Sequence, residues 1–282
     1  MTEPAESQHH GWRDGRLAIL GGGNIGLALA RGLVAAGIYT PDRITITRRQ
    51  AALLEEARLD GFAVQADNHG AVRTSRIVVI AVQPQQLEDV LLEIRGDLVP
   101  AEHLLISLVS GVSIAEILRH VGRHMPVVRA MPNTAIAIRE SMTCLSATRT
   151  DSPALPVAAA LFSAVGKTLV IPEEHMIPAT ALCACGIAFF LRSIRAASQG
   201  GTEIGFHPHE ALLLAAQTAK GAASLLLSAS GHPESEIDKV TTPRGCTIAG
   251  LNRMEHEGFS SAMIKGITTS AAKAGRLYVR HG

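Results

Sequence analysis

Gly21, Gly23 and Gly26 stand at G-x-G-x-x-G spacing inside the run Leu17–Leu33, LAILGGGNIGLALARGL. A strand-like stretch, Leu17-Ala18-Ile19-Leu20, runs into them, and a small-residue helical pattern leaves them. Binding a pyrophosphate makes a different steric demand at each glycine. Gly21 permits the tight turn off the strand, Gly23 lets backbone approach the anion, and Gly26 lets the helix lie close to the sheet. Asn24 and Ile25 open that helix, whose free N–H groups and dipole favour negative charge. A glycine-rich turn in some other α/β protein is the competing reading, and the strand before and helix after the motif weigh against it.

The next strand extends the same chemistry. Where the cofactor is NAD, the end of the second strand of such a unit carries an acid for the ribose 2′-hydroxyl. Here Thr47-Arg48-Arg49 follows Arg43–Ile46, and no acid is present. Two guanidiniums can pair with a 2′-phosphate and Thr47 can donate to it. NADPH is therefore the expected cofactor, with NADH left open.

These residues need a scaffold, and the pattern supplies one. Gly37 stops the first helix and Arg43–Thr47 completes a β-α-β unit. Gln50–Leu59 reads as helix, Phe62–Val64 as a short strand, and Asp67–Gly70 as a loop. Arg76–Val82 is a continuous apolar run, as expected of a strand buried on both faces, and Pro84 ends it. Gln86–Ile94 and Val112–Leu118 read as helices, and His103–Leu108, Pro126–Met131 and Met142–Ser146 as strands. This alternation predicts a doubly wound parallel sheet. Beyond about Pro172 strand signals stop. Ala179–Ser198, His209–Ser228, Thr247–Glu257 and Ser260–Val279 read as helices, broken at Gly200-Gly201, Gly231-His232-Pro233 and Gly258. The expected organisation is a loose tail over 1–15, a dinucleotide-binding domain over 16–171 and an all-helical domain over 172–282. The long helices are too apolar for a solvated monomer surface, and a bundle formed between two subunits would bury them.

Composition narrows the partners. The chain has 282 residues, 47% of them hydrophobic, with a net charge of +1 and 3% aromatics. It carries no basic patch and no aromatic stacking platform, so nucleic acid is not an expected partner. The first residues lack an apolar core and do not read as a signal peptide. No apolar stretch reads as long and charge-free enough to span a bilayer, so no membrane partner is expected and the cytoplasm is the expected compartment. Cys183 and Cys185 form C-x-C without a histidine pattern, and the 12 histidines are scattered, so no metal is expected and the thiols read as free and buried.

Five segments give the chain a resemblance to the pyrroline-5-carboxylate reductase family. They are GGGNIG at Gly21–Gly26, AVQPQQ at Ala81–Gln86, ISLVSGVSI at Ile106–Ile114, VVRAMPNT at Val127–Thr134 and TTPRGCTIAGLNRMEHEGF at Thr241–Phe259. The likeness runs from residue 16 nearly to the C-terminus. It implies a Rossmann domain, a helical dimerisation domain, and NAD(P)H-dependent reduction of a cyclic imine in the last step of proline synthesis. It places Asn68 and the turn Ala81-Val82-Gln83-Pro84 beside the cofactor, with Met131, Pro132 and Asn133 of the R-x-M-P-N-T segment. It places the substrate carboxylate at the turn Thr242-Pro243-Arg244-Gly245-Cys246-Thr247, where the family's backbone N–H groups hold it. Thr247 matches the threonine whose hydroxyl lies by the ring nitrogen, with a plain helix cap as the alternative role. The resemblance also implies at least a homodimer, with the active site built from the helical domain of one chain and the nucleotide domain of another, and some members assemble further.

The chain departs from the family at three places. Gln83 replaces a lysine. Cys183-Ala184-Cys185-Gly186-Ile187-Ala188-Phe189 replaces a Ser-Gly-Ser-Gly-Pro-Ala-Tyr segment, placing Cys183 and Cys185 on the substrate side. Arg244 replaces a glycine. These changes leave open a related cyclic imine carboxylate as substrate. They also leave open an NADPH-binding paralogue with little catalysis that acts as a regulatory or interaction protein. A 3-hydroxyacid-type dehydrogenase would need a lysine acid–base group, and Lys220 and Lys239 lie in no segment of that kind.

Overall fold

The computed structural model describes residues 15–228 and 231–277. Except for Gly15, the tail expected over 1–15 lies outside the described residues, as does the expected helix end at Val279.

Eight strands form one sheet in the order β3-β2-β1-β4-β5-β6-β7-β8. They are β1 (Leu17–Leu20), β2 (Ile44–Thr47), β3 (Ala63–Gln65), β4 (Ile77–Ile80), β5 (Leu104–Ser107), β6 (Val127–Met131), β7 (Ser141–Ala147) and β8 (Gly166–Val170). β1 through β6 are parallel. Both faces of the sheet are covered, because alternate side chains enter opposite cores. Leu17 and Ile19 of β1 join Leu29 and Leu33 of the helix Asn24–Ala35 on one face. Ala18 and Leu20 join Leu87 and Leu91 of the helix Leu87–Ile94 and Ile117 of the helix Ile114–Val121 on the other.

The expected all-parallel arrangement fails at its far edge. β7 pairs antiparallel with β6, and β8 then pairs parallel with β7. Connection length is the physical reason. β6 and β7 are joined only by the 3-10 turn Thr134–Ile138, whereas the helix Ala154–Ser163 crosses over from β7 to β8. Parallel pairing needs such a crossover, and a short link returns the chain antiparallel. The expected loop at Asp67–Gly70 is also corrected. Asp67 caps a helix, Asn68–Arg73, accepting from the backbone N–H groups of His69 at 2.9 Å and Gly70 at 3.0 Å.

The chain divides into two compact units. One runs up to Cys185 and resumes at Ser270, and the other is Gly186–Thr269. The compact unit that holds the sheet thus runs on to Cys185, with the expected boundary at 171/172 inside it. Residues beyond 172 stay with the sheet because Met176 and Ala179 are buried with Met131 of β6 and Cys144 of β7. The expected helix over Ala179–Ser198 begins earlier, at Met176, and passes through a π turn, Thr180–Cys185, before continuing as Gly186–Glu203.

The second unit contains the helices Pro208–Ser228 and Cys246–His256 and most of Phe259–Ala274. A further short helix, Pro233–Lys239, starts where a break was expected. The His232 ring accepts from the Glu234 N–H, and Pro233 fills the first helical position. Two helical runs, Glu173–Glu203 and Pro208–Ser228, are long and apolar enough to cross a bilayer by length and composition, which corrects the expectation that none is. Their side chains are largely uncovered, with Phe190 60% and Leu213 70% exposed.

Candidate functional site

The glycine turn lies at the carboxyl end of β1, where strand order reverses between β2 and β4, the position at which open α/β sheets form a ligand crevice. A cleft of about 560 Å³ opens there. Of the cofactor residues expected from sequence, Gly21, Gly23, Thr47, Arg48, Arg49, Asn68, Ala81, Val82 and Gln83 line it.

Backbone geometry fixes the turn. The N–H groups of Gly21 and Gly22 both donate to the Thr47 carbonyl, at 3.1 and 2.8 Å. Gly21 has φ +112°, and a Cβ there would lie 2.4 Å from the Ala81 carbonyl oxygen. Gly26 is buried behind the turn, and a Cβ on it would sit 2.3 Å from the Gly21 oxygen. Gly23 differs, because a Cβ on it would meet nothing within 4 Å and would stand in the cleft. Asn24 and Ile25 form the first turn of the helix behind, and Pro84 starts the 3-10 turn after Gln83, so none of these three lines the cleft.

Side chains then set the polarity. The Thr47 hydroxyl donates to Asn68 Oδ1 at 2.6 Å, and Asn68 Nδ2 donates to Glu93 Oε2 at 3.0 Å. The Thr47 proton is therefore engaged within the protein, and its oxygen presents lone pairs rather than the donor expected from sequence. Arg48 Nη1 donates to the Gly22 carbonyl at 3.1 Å, which ties the arginine to the glycine turn. Arg49 makes no hydrogen bond or ion pair among the described residues and is exposed at the cleft rim. Sequence reasoning missed Gln86, Asp89, Val90 and Glu93, which line the opposite wall. Their spacing of three and four residues along one helix was the available signal.

Met131, Pro132 and Asn133 do not line this cleft. Asn133 accepts from the Ala135 N–H at 3.1 Å and donates through Nδ2 to the Cys183 carbonyl at 3.2 Å. Cys183 lies in the π turn with its Sγ 3.8 Å from Cys144 Sγ, and Cys185 follows two residues on, half-buried. The hydrogen bond from Cys144 brings the Cys183 thiol down to about 7 against the opposing effect of burial. The same hydrogen bond, with burial, pushes Cys144 far up.

The turn Thr242–Gly245 belongs to the second unit. The Gly245 N–H donates to the Thr242 carbonyl at 2.9 Å, with Pro243 and Arg244 at the central positions. Arg244 has φ +62°, a value that a type II turn demands and that usually selects glycine. A Cβ on Gly245 would fall 2.5 Å from Thr242 Oγ1. The helix Cys246–His256 follows with Gly245 at its cap and no side-chain capping bond. Thr247 is therefore not the cap, and its hydroxyl makes no hydrogen bond among the described residues. No group of three or more His, Cys, Asp or Glu is arranged to hold a metal among the described residues.

A doubly wound sheet with a glycine turn at its switch point, joined to an apolar helical unit, is the architecture of a two-part dinucleotide-binding protein. The family model "Pyrroline-5-carboxylate reductase dimerisation" matches residues 173–277. The model "NADP oxidoreductase coenzyme F420-dependent" matches 16–111. Pyrroline-5-carboxylate reductase 2 of Dictyostelium discoideum is 47% identical over 92% of this chain and 92% of its own length. Pyrroline-5-carboxylate reductase 1 of the same organism is 53% identical over 95% of this chain, which spans only 50% of that longer relative. A solved pyrroline-5-carboxylate reductase from Coxiella burnetii superposes with a TM-score of 0.84 at 29% identity, covering 94% of this chain and 99% of that one. The Plasmodium falciparum enzyme, solved with NADP bound, has the same fold, with a TM-score of 0.84 at 23% identity over 95% of this chain and 100% of its own. This chain belongs to the pyrroline-5-carboxylate reductase family.

Proposed function

We propose that the protein reduces 1-pyrroline-5-carboxylate to proline with NADPH. The observation that carries this reading is the cleft itself, where Gly23 leaves open space and Arg49 offers an unpaired guanidinium in place of the ribose-binding acid. When bound, NADPH supplies the hydride that adds to the C=N carbon. The chain's residues bind, align and protonate. Arg49 pairs with the 2′-phosphate while Arg48 braces the glycine turn through Gly22. The N–H groups of Cys246 and Thr247, at the start of the helix Cys246–His256, hold the substrate carboxylate beside the cationic Arg244, while the Gly245 N–H closes the turn on Thr242. The free Thr247 hydroxyl hydrogen-bonds the ring nitrogen and passes it a proton, which solvent replaces on the hydroxyl. Alignment accounts for most of the rate, and no nucleophile or carboxylate pair is needed.

The test is oxidation of NADPH followed at steady state with pyrroline-5-carboxylate. Turnover below about 10⁴ M⁻¹s⁻¹ in kcat/KM, against faster reduction of another cyclic imine, would reject the substrate. Arg49→Ala is expected to raise KM for NADPH by about 10- to 100-fold and leave KM for NADH unchanged. A charge-assisted bond of roughly 1.5–3 kcal/mol is lost only with the phosphorylated cofactor. An equal effect on both cofactors would remove Arg49 from the 2′-phosphate site.

The dimerisation match over 173–277 supports homo-oligomerisation through the helical segment. A homodimer is the proposed form, in which a second copy covers Phe190, Leu191 and Leu213. Thermal melting should then depend on protein concentration, rising by several degrees from micromolar to hundred-micromolar chain. A melting temperature independent of concentration would argue against a dissociable assembly. The cytoplasm is the proposed compartment, in keeping with four free cysteines.

A further inference from the structure

We propose that Cys144 and Cys183 form a reversible intramolecular disulfide site, oxidised by hydrogen peroxide or another small hydroperoxide. Two different parts of the fold bring them together. Cys144 sits on β7 facing the small cluster of Met131, Met176 and Ala179, and Cys183 projects from the π turn packed against it. Their sulfurs are 3.8 Å apart, so bonding asks them to close by about 1.8 Å to the usual disulfide length. A π turn suits such an adjustment because it interrupts the regular helical ladder. The carbonyl of Cys183 is already held by Asn133, which fixes which side of the turn faces β7.

The chemistry divides cleanly between the two thiols. Cys183 is half-buried and therefore reachable, whereas Cys144 is buried at 3% exposure. Donation from the Cys144 S–H favours the Cys183 thiolate near neutral pH and keeps Cys144 protonated. The Cys183 thiolate attacks one oxygen of the peroxide, the O–O bond breaks, and Cys183 becomes a sulfenic acid as hydroxide leaves and takes a proton from solvent. Cys144 sulfur then attacks the Cys183 sulfur. The S–O bond breaks, and the leaving oxygen departs as water with the Cys144 proton. The thiol pair loses two electrons, and the peroxide becomes two waters. Cys185 and Cys246 have no thiol partner among the described residues and take no part.

The full-length protein is exposed to a small excess of hydrogen peroxide, alkylated without reduction, and mapped by peptide mass spectrometry. The free thiols should fall from four to two, with one Cys144–Cys183 linked peptide pair that dithiothreitol reverses. Cys144→Ala should abolish the link and let dimedone capture a Cys183 sulfenic acid, more slowly than the link forms in the wild type. Cys183→Ser should leave Cys144 unoxidised. If either variant fails to fold, the wild-type map decides alone. A Cys183–Cys185 or intermolecular link, uniform oxidation of all four thiols, or four thiols surviving would each overturn the proposal.

Discussion

Gly23→Ala is expected to fold with the wild-type melting temperature and to lose at least about 30-fold in NADPH affinity, or roughly 2 kcal/mol. Gly23 has φ −90°, a value open to any residue, and the added methyl meets no protein atom within 4 Å. The methyl instead enters the space that a pyrophosphate needs for close approach to backbone. Gly21→Ala should behave in the opposite order. At φ +112° an L-residue is strained, and its Cβ would overlap the Ala81 carbonyl at 2.4 Å, so about 3 kcal/mol or more of stability goes first and binding follows from misfolding. Differential scanning fluorimetry with and without NADPH separates the two. A Gly23→Ala protein that binds NADPH as the wild type does would move the pyrophosphate away from this turn.

Glu173→Ala is the second large effect, and it concerns stability rather than binding. Arg129 in the middle of β6 is 4% exposed, and burial holds its guanidinium below the ordinary arginine range while Glu173 opposes the shift. Its Nη1 donates to Glu173 Oε1 at 3.2 Å, and its buried Nε and Nη2 have no partner among the described residues. The same carboxylate oxygen accepts from the Ile114 N–H at 2.6 Å, at the start of the helix Ile114–Val121. Removing Glu173 leaves a buried cation uncompensated and the Ile114 N–H without its acceptor, while the Ser113–Glu116 capping box still holds the helix start. Losing one member of a buried pair costs about 3–5 kcal/mol, and Glu173 is 31% exposed, so about 2–3 kcal/mol is expected here. That corresponds to a fall of roughly 4–12 °C in melting temperature. Glu173→Gln should fall between, because the amide oxygen can still serve Ile114. A change below about 2 °C in the alanine variant would mean that solvent already screens Arg129.

The legible parts of this fold are those where sequence position and steric demand coincide. The glycine turn is readable because only glycine fits at Gly21 and Gly26, and the strands β1 and β4 because burial on both faces forces continuous apolar runs. The far edge is not readable. The helix Ala154–Ser163, ALPVAAALFS, is apolar almost all round and gives little periodicity, and β8 follows as a short, partly exposed strand. The direction of β7 depends on how short its link to β6 is, which no residue type announces. In the cleft, Thr47 and Asn68 were identifiable singly, but Glu93 joins them only through a contact 25 residues from Asn68 along the chain. That contact reversed the expected role of the Thr47 hydroxyl. The Cys144–Cys183 pair was hidden for a similar reason, since 39 residues separate its members.

The chain leaves the sheet body at Cys185 and rejoins it at Ser270. The helical unit is thus an excursion anchored at both ends rather than a trailing appendage. Closure entropy grows only with the logarithm of length, by about 0.6 kcal/mol per doubling, so such a large insert is cheap to tolerate. Its timing is less forgiving. During synthesis the nucleotide-binding body receives Ala274, the last buried side chain among the described residues, only after the whole insert has been made, so the N-terminal half of the gene product is the first translated and among the last completed.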